Sequence, residues 1–273
     1  MGVSDTCRLR LVRTLCFVAL LVAAVESINA IAAEAGIEFV ASIGDIADDG
    51  TIEQYEAATA VLSQLTVPHY AIMGNEEFGG GQQRFLDYAA RWNKEPDTIP
   101  AASYVVERHG IAFVFATPDR NGRDFTDGGV AWVEAQLQSY ASVPVFLFTH
   151  GAPKGGFPDG GDKSISNPAF ARVLEYENLR ATFSGDLHMD LDRTTHFVID
   201  GDLAHIHVPA LERTKIPDTL RHTGRYRIVS VLENGTVMVN TVDVLRRRIE
   251  PMHTHAFKLS MVSVMPSNLM DGV

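Results

Sequence analysis

Short apolar segments alternate with segments of helical periodicity along the first third of the chain. The runs "IEFVASI" (37–43) and "HYAIM" (69–73) are short and apolar, as buried strands are. The segments 51–65 and 82–92 instead place apolar residues three or four positions apart, which is typical of amphipathic helices. This β-α-β-α order predicts a buried sheet with helices on its faces.

The rest of the chain is richer in strands. Residues 102–118 predict two strands joined at His109-Gly110, and a helical segment then leads into the strand "VPVFLFTH". Beyond residue 180 short strands alternate with turns. No internal repeat, linker or composition break divides the chain, so we expect a single domain over 1–250 and a C-terminal tail over 251–273.

The N-terminal segment has two interpretations. Three arginines precede the apolar run "LCFVALLVAAV", which small residues follow, and this order is typical of a secretory signal or an anchor over residues 8–33. The same segment can form a buried internal helix that ends near Gly36. The internal helix predicts a cytoplasmic protein, whereas the signal predicts a secreted or membrane-anchored one. The apolar run is short for a transmembrane span.

Composition excludes two classes of protein. The chain has 273 residues, of which 46% are hydrophobic, and its formal net charge is -11. Such acidity argues against a broad nucleic-acid surface, which needs a basic face. The two cysteines, Cys7 and Cys16, are too few for a disulfide framework.

Four polar residues follow four of the predicted strands. Asp45, Asn75, His150 and His188 each stand just beyond the last apolar residues of a strand. In an open α/β sheet the carboxyl ends of the strands form the ligand-binding edge, so we expect these side chains to converge. Aspartate, asparagine and histidine together suit a divalent ion such as Mn, Zn or Fe.

The segments around these residues carry a family resemblance. "GDIADDG" (44–50), "GNEE" (74–77), "THGAP" (149–153) and "GDLH" (185–188), with "VSDTC" (3–7) as a first block, resemble the motifs of the calcineurin-like metallophosphoesterases. The resemblance implies a four-layer α-β-β-α sandwich of two mixed sheets. We expect the N-terminal half to supply one sheet and the C-terminal half most of the other.

The resemblance also implies two divalent metal ions, which could be Mn, Mg, Fe or Zn, clamping a phosphate and activating water. Asp45 would bridge them. The implied ligands of one ion are Asp5, Cys7, Asp45 and His188, and those of the other are Asp45, Asn75, His150 and Asp186. The implied catalytic acid stands at Glu76, held by Asp48, although an aspartate at this position is more often a turn residue that caps the next helix.

Three histidines of the family are replaced in this chain, by Cys7, Glu76 and Asp186. Asp186 remains a competent oxygen ligand, Cys7 either ligates as a thiolate or matches by chance, and Glu76 either donates a proton or ligates a metal. We therefore expect a metal-dependent hydrolase of phosphomonoesters or phosphodiesters, including nucleotide-type substrates. The alternative is a weakened or inactive relative that serves as a binding or regulatory protein.

The expected partner is a small phosphorylated substrate, with no obligate membrane partner, and the sequence leaves the oligomeric state open. Two glycine- and aspartate-rich loops, 117–129 and 151–168, follow strands that carry the proposed ligands. We expect them to line the mouth of the site and select the substrate.

Overall fold

The structure is a computed structural model that describes residues 5–95, 97, 99–192, 194–212, 214–216 and 224–259; for residues 5–17 and 162 it describes the backbone alone. The helices are α1 (Asp5–Ile31), α2 (Ile52–Leu62), α3 (Asn75–Phe78), α4 (Gln82–Trp92) and α5 (Asp127–Ser139), with short 3-10 segments at Asp48–Gly50, Gly161–Lys163, Pro168–Glu175 and Pro251–His253. The strands are β1 (Val40–Ile43), β2 (His69–Ile72), β3 (Tyr104–Arg108), β4 (Ile111–Phe115), β5 (Val145–Thr149), β6 (Leu179–Ser184), β7 (Phe197–Asp200), β8 (Leu203–His207), β9 (Arg225–Val231), β10 (Thr236–Asp243), β11 (Arg248–Ile249) and β12 (His255–Lys258).

A six-stranded sheet with the order β3-β4-β5-β6-β8-β7 forms the central layer. The strands β4, β5, β6 and β8 run parallel, and β3 and β7 close the two edges as antiparallel hairpin partners. Every residue of β5 and β6 is buried, as expected for parallel strands that are covered on both faces. The predicted turn at His109-Gly110 joins β3 to β4.

The two faces of this sheet pack against different layers. On the outer face, Val114 and Leu147 pack against Val133 of α5 and Phe170 of the 3-10 segment. On the inner face, Phe115, Phe148 and Phe183 stack in a row with ring centroids 4.6 and 4.8 Å apart. These rings belong to the main core, which lies between the two strand layers.

The second strand layer consists of two separate parts. The strands β1 and β2 form a parallel pair from Val40↔His69 to Ile43↔Ile72, and β9 to β12 form an antiparallel group around β10. Residues of both parts, including Ile72 and Val239, belong to the main core. Outside this layer, the helix α2 contacts both α1 and α4. The layers therefore follow the predicted α-β-β-α order.

Two details of the predicted arrangement are corrected. The central sheet uses residues 104–207, and the second layer combines strands from both ends of the chain, so the layers do not divide into N- and C-terminal halves. The physical reason is that β10 to β12 pair among themselves, while β1 pairs only with β2 in the described chain. The strand β12 lies in the segment predicted as a tail and pairs with β10 from Val239↔His255 to Thr236↔Lys258.

The helix α1 packs on the core, in agreement with the internal-helix interpretation of this segment. Its residues Leu21, Val25 and Ile28 are buried in the main core, and Ser27 Oγ lies 3.0 Å from the hydroxyl of Tyr226 on β9. Among the described residues, no helix combines the length and the apolar composition that crossing a membrane requires. The cellular location stays a prediction.

Candidate metal centre

The candidate site lies where four strands from both layers end. Asp45 stands two residues beyond β1 and Asn75 three residues beyond β2, while His150 directly follows β5 and Asp186 stands two residues beyond β6. Because β1 and β2 run parallel in one layer and β5 and β6 in the other, the carboxyl ends of each pair lie at one edge. The structure thus brings together residues that are far apart in sequence.

His150 is at the centre of this group. Its Nε2 lies 3.2 Å from Asn75 Oδ1, 3.3 Å from Asp45 Oδ1 and 3.8 Å from Asp186 Oδ1. Its Nδ1 lies 2.6 Å from the carbonyl oxygen of Ile43, so the tautomer protonated at Nδ1 donates to that carbonyl. Nε2 is then available to bind a metal ion, with the ring orientation fixed from behind.

The charges around His150 favour a cation. Burial lowers the pKa of His150, but the hydrogen bond and charge of Asp45 and the charge of Asp186 outweigh this effect and raise the pKa to about 9. Burial also raises the pKa of Asp45, yet the contacts with His150 and the Glu76 amide lower it overall. Two carboxylates therefore create a negative potential at Nε2, which a proton or a divalent ion can neutralise.

Asp186 has one oxygen engaged and the other unpaired. Its Oδ2 accepts a 2.6 Å hydrogen bond from Arg123 Nε, while its buried Oδ1 has no hydrogen-bond partner. Asp45, His150 and Asp186 each offer a ligand atom, and these atoms lie within 4.8 Å of one another. A buried carboxylate oxygen without a partner is costly unless an ion occupies the space that it faces. The donor set therefore fits a divalent metal ion.

Unusual backbone conformations position these side chains. Asp45, Asp186 and His188 have φ angles of 56°, 46° and 50°, in the left-handed region that side chains other than glycine rarely adopt. Gly74 permits the close approach of β2 and β1, because a Cβ there would lie 2.2 Å from Asp45 Oδ1.

Glu77 fixes the two turns to each other from inside the protein. This fully buried side chain accepts hydrogen bonds from the backbone N–H groups of Asp45 (2.9 Å), Ala47 (2.7 Å) and Gly74 (2.8 Å). Burial and the charge of Asp45 raise the pKa of Glu77, the N–H groups of Ala47 and Gly74 oppose them, and the resulting pKa is about 7. The two acids of "GNEE" thus point to different places, and sequence reasoning did not identify Glu77.

Glu76 faces the site. Its Oε1 accepts a 2.8 Å hydrogen bond from Asn75 Nδ2, and its backbone N–H donates to Asp45 Oδ1 at 3.1 Å. Carboxylate oxygens of Asp48, Asp49 and Glu76 lie within 4.8 Å of one another. Glu76 and Asp48 therefore lie near each other, at the edge of the group around His150.

The structure shows the position of one further predicted ligand, His188, but not the side chains of Asp5 and Cys7. His188 lines the same cavity as Asp45 and Asp186 and lies close enough for its charge to lower the pKa of Asp45. Asp5 and Cys7 belong to the first turns of α1, where the side chains are outside the described part of the structure. Ligation by those two residues stays a prediction.

Arg123 is a second residue that the sequence did not single out. It lies in the loop 117–129, which was predicted only to line the mouth of the site. The partner of Arg123, Asp186, is 63 residues away in sequence, so no local pattern indicates the pair.

The chain resembles known phosphoesterases in sequence and fold. Residues 13–190 match the model of the calcineurin-like phosphoesterase family. Over 161 residues the chain is 30% identical to a probable glycerophosphodiester phosphodiesterase, GpdQ, of Arcobacter nitrofigilis, which covers 55% of this chain and 56% of that protein. A probable cyclic nucleotide phosphodiesterase of Xenorhabdus bovienii is 24% identical over 181 residues, covering 63% of this chain and 68% of that protein.

The fold also resembles that of a solved structure. Purple acid phosphatase PPD1 from yellow lupin aligns with a TM-score of 0.52 and 12% identity over 87% of this chain and 49% of the phosphatase. At this identity the likeness concerns the fold alone. The chain thus spans about half the length of the first relative and of this phosphatase.

Proposed function

Because the chain belongs to the calcineurin-like phosphoesterase family, we propose that it is a metal-dependent phosphodiesterase. The observation that carries this proposal is the buried, unpaired Oδ1 of Asp186 beside Asp45 and His150. The names of the two related phosphodiesterases favour a phosphodiester over a phosphomonoester as substrate.

The proposed ligands of one divalent ion are Asp45, Asn75, His150 and Asp186. We assign a second ion to Asp45 and His188, which both line the cavity. Bound divalent ions supply Lewis acidity and lower the pKa of water, which makes it a nucleophile near neutral pH. The Asn75 amide keeps Glu76 next to the phosphate site.

The remaining roles belong to groups that act without touching the metal. Arg123 holds Oδ2 of Asp186 so that Oδ1 points toward His150. Ile43 orients the ring of His150 through its carbonyl. Glu76 is the proposed proton donor to the leaving oxygen, and such acid assistance contributes about 10²- to 10⁴-fold in rate.

The proposal is tested by metal content and hydrolysis. The purified full chain, saturated with Mn, should hydrolyse bis(4-nitrophenyl) phosphate faster than 4-nitrophenyl phosphate. A chelator-treated sample should hydrolyse the diester more slowly than the Mn-saturated one. Asp45→Ala should lose bound Mn in elemental analysis together with activity. Asp200→Ala, an exposed aspartate at the end of β7, is the matched control and should change neither. Equal metal content in Asp45→Ala and wild type contradicts the assignment of the site.

The replaced histidines favour one alternative, a relative that binds but does not hydrolyse. Glu76→His separates the two, since an imidazole titrates near neutrality and can donate a proton. If Glu76 is already a working acid, this change lowers the activity or shifts its pH optimum, and in a weakened enzyme it raises the activity. Hydrolysis equal to a metal-free control in both proteins, with Mn saturating, supports the binding protein.

A further inference from the structure

A cavity of about 270 Å³ extends from the candidate metal centre into the protein. Its polar lining includes Asp45, Glu76, His150, Asp186 and His188. The same cavity is lined by apolar side chains from α1, α2 and the residues that follow α2: Leu21, Val25, Ile28, Ala58, Leu62 and Leu65. One continuous space thus touches both the charged site and the apolar helices.

The apolar part of the cavity arises from the divided second strand layer. In the described chain β1 pairs with β2 alone and β9 with β10 alone, and both β1 and the start of β9 line the cavity. Val40, Ala41 and Ser42 of β1 are half-buried, although every residue of the neighbouring β2 is buried. The incompletely buried side of β1 therefore faces an internal space, and the described side chains of α1 that line this space are all apolar.

We infer that this cavity binds an aliphatic chain esterified to the phosphate of the substrate, an inference that rests on the proposed function. The site residues would hold the phosphate, and the chain would extend from it between α1 and α2. An engineered apolar cavity of about 150 Å³ holds benzene, so the larger space here suits a chain of several methylene groups. Protein interiors are close-packed, and a cavity that joins an apolar space to a reactive site is the usual form of a ligand pocket.

The inference predicts a preference among diesters that differ only in chain length. 4-Nitrophenyl methyl phosphate and 4-nitrophenyl octyl phosphate share one leaving group and one charge. Burying a methylene group favours binding about fourfold. We expect the Mn-loaded full chain to prefer the octyl diester by at least tenfold in kcat/KM, mainly through a lower KM, at concentrations below micelle formation.

Filling the cavity should remove this preference. In Val25→Trp the indole would occupy the space, so the octyl-to-methyl ratio of kcat/KM should fall toward one. The smaller change Ala24→Leu, at another lining residue, should lower the ratio partially. This variant provides the test if Val25→Trp does not fold. Ala19→Trp adds the same indole to an exposed position of the same helix and should leave the ratio unchanged.

The outcomes separate the two proposals. Hydrolysis of both diesters at equal kcat/KM by the wild type overturns the chain-binding inference and leaves the phosphodiesterase intact. If the wild type hydrolyses neither diester, the proposed function is overturned. The chain-binding inference is then tested by calorimetry, which compares the affinities for octyl phosphate and methyl phosphate. Tighter binding of octyl phosphate that Val25→Trp or Ala24→Leu weakens supports it, and equal binding of the two phosphates overturns it.

Discussion

Replacing Glu77 by alanine tests how the two turns of the metal centre are held together. The substitution removes the acceptor of three backbone N–H groups, the buried ones of Ala47 and Gly74 and the partly buried one of Asp45. Each such group costs about 1–3 kcal/mol when it is left without a partner, so the gross loss is roughly 6 kcal/mol. The carboxylate itself is unfavourably buried, which its pKa of about 7 reflects.

The burial cost of Glu77 offsets part of that loss. A rise in pKa from 4.5 to about 7 corresponds to roughly 3 kcal/mol at pH values above 7. We therefore expect Glu77→Ala to lower the free energy of unfolding by about 3 kcal/mol, or Tm by roughly 6–12 °C for a chain of this size. Glu77→Gln keeps one acceptor oxygen and relieves the charge, and it should stay within about 1 kcal/mol of the wild type.

The measurement is urea denaturation followed by circular dichroism at pH 8, with a chelator present so that bound metal does not contribute. Glu76→Ala is the matched control, because this neighbouring carboxylate is half-buried and bonds to the Asn75 amide. We expect that control to change stability by less than about 1 kcal/mol. Equal stability of Glu77→Ala and Glu76→Ala would refute the structural role of Glu77.

Two further predictions concern packing and pH. Gly74→Ala should abolish metal binding in elemental analysis, because the new Cβ would lie 2.2 Å from Asp45 Oδ1. The control Gly79→Ala should keep the metal, because a Cβ there meets no atom within 4 Å, and retained metal in Gly74→Ala would contradict the close approach. Burial lowers the pKa of His69 to about 3, so its contribution to stability is full above pH 6.5 and is lost as the pH falls toward 3. When the pH falls from 7.5 to 5, the free energy of unfolding, measured by urea denaturation, should decrease by about 2 kcal/mol less in His69→Gln than in the wild type. Equal decreases in the two proteins would contradict this assignment.

The sequence predicts the parts of the fold that depend on local pattern. The apolar runs before Asp45, Asn75 and His150 form strands, and the polar residue after each run lies at the same edge because parallel strands end together. The segment 82–92 forms α4 with the predicted bounds, since its apolar spacing matches a helical face. These features need only neighbouring residues for their prediction.

Other features depend on contacts that local pattern does not contain. The adjacent acids Glu76 and Glu77 are chemically identical in the sequence, and only the packing of β1 against β2 buries one of them. The pair of Arg123 and Asp186 joins a loop to a strand end across the site. The divided strand layer likewise depends on which strand edges meet, and this is decided by the whole chain.

The left-handed backbone at Asp45, Asp186 and His188 lowers the stability of the fold but places the proposed metal ligands. A side chain in this region costs about 1–2 kcal/mol relative to glycine, and aspartate and histidine are among the residues that tolerate it best. Glycine at any of these positions would relax the backbone and remove a proposed ligand at the same time. Selection for thermal stability alone would therefore favour loss of the metal centre, so a stabilising library for this protein must keep these three codons fixed and screen for bound metal at every round.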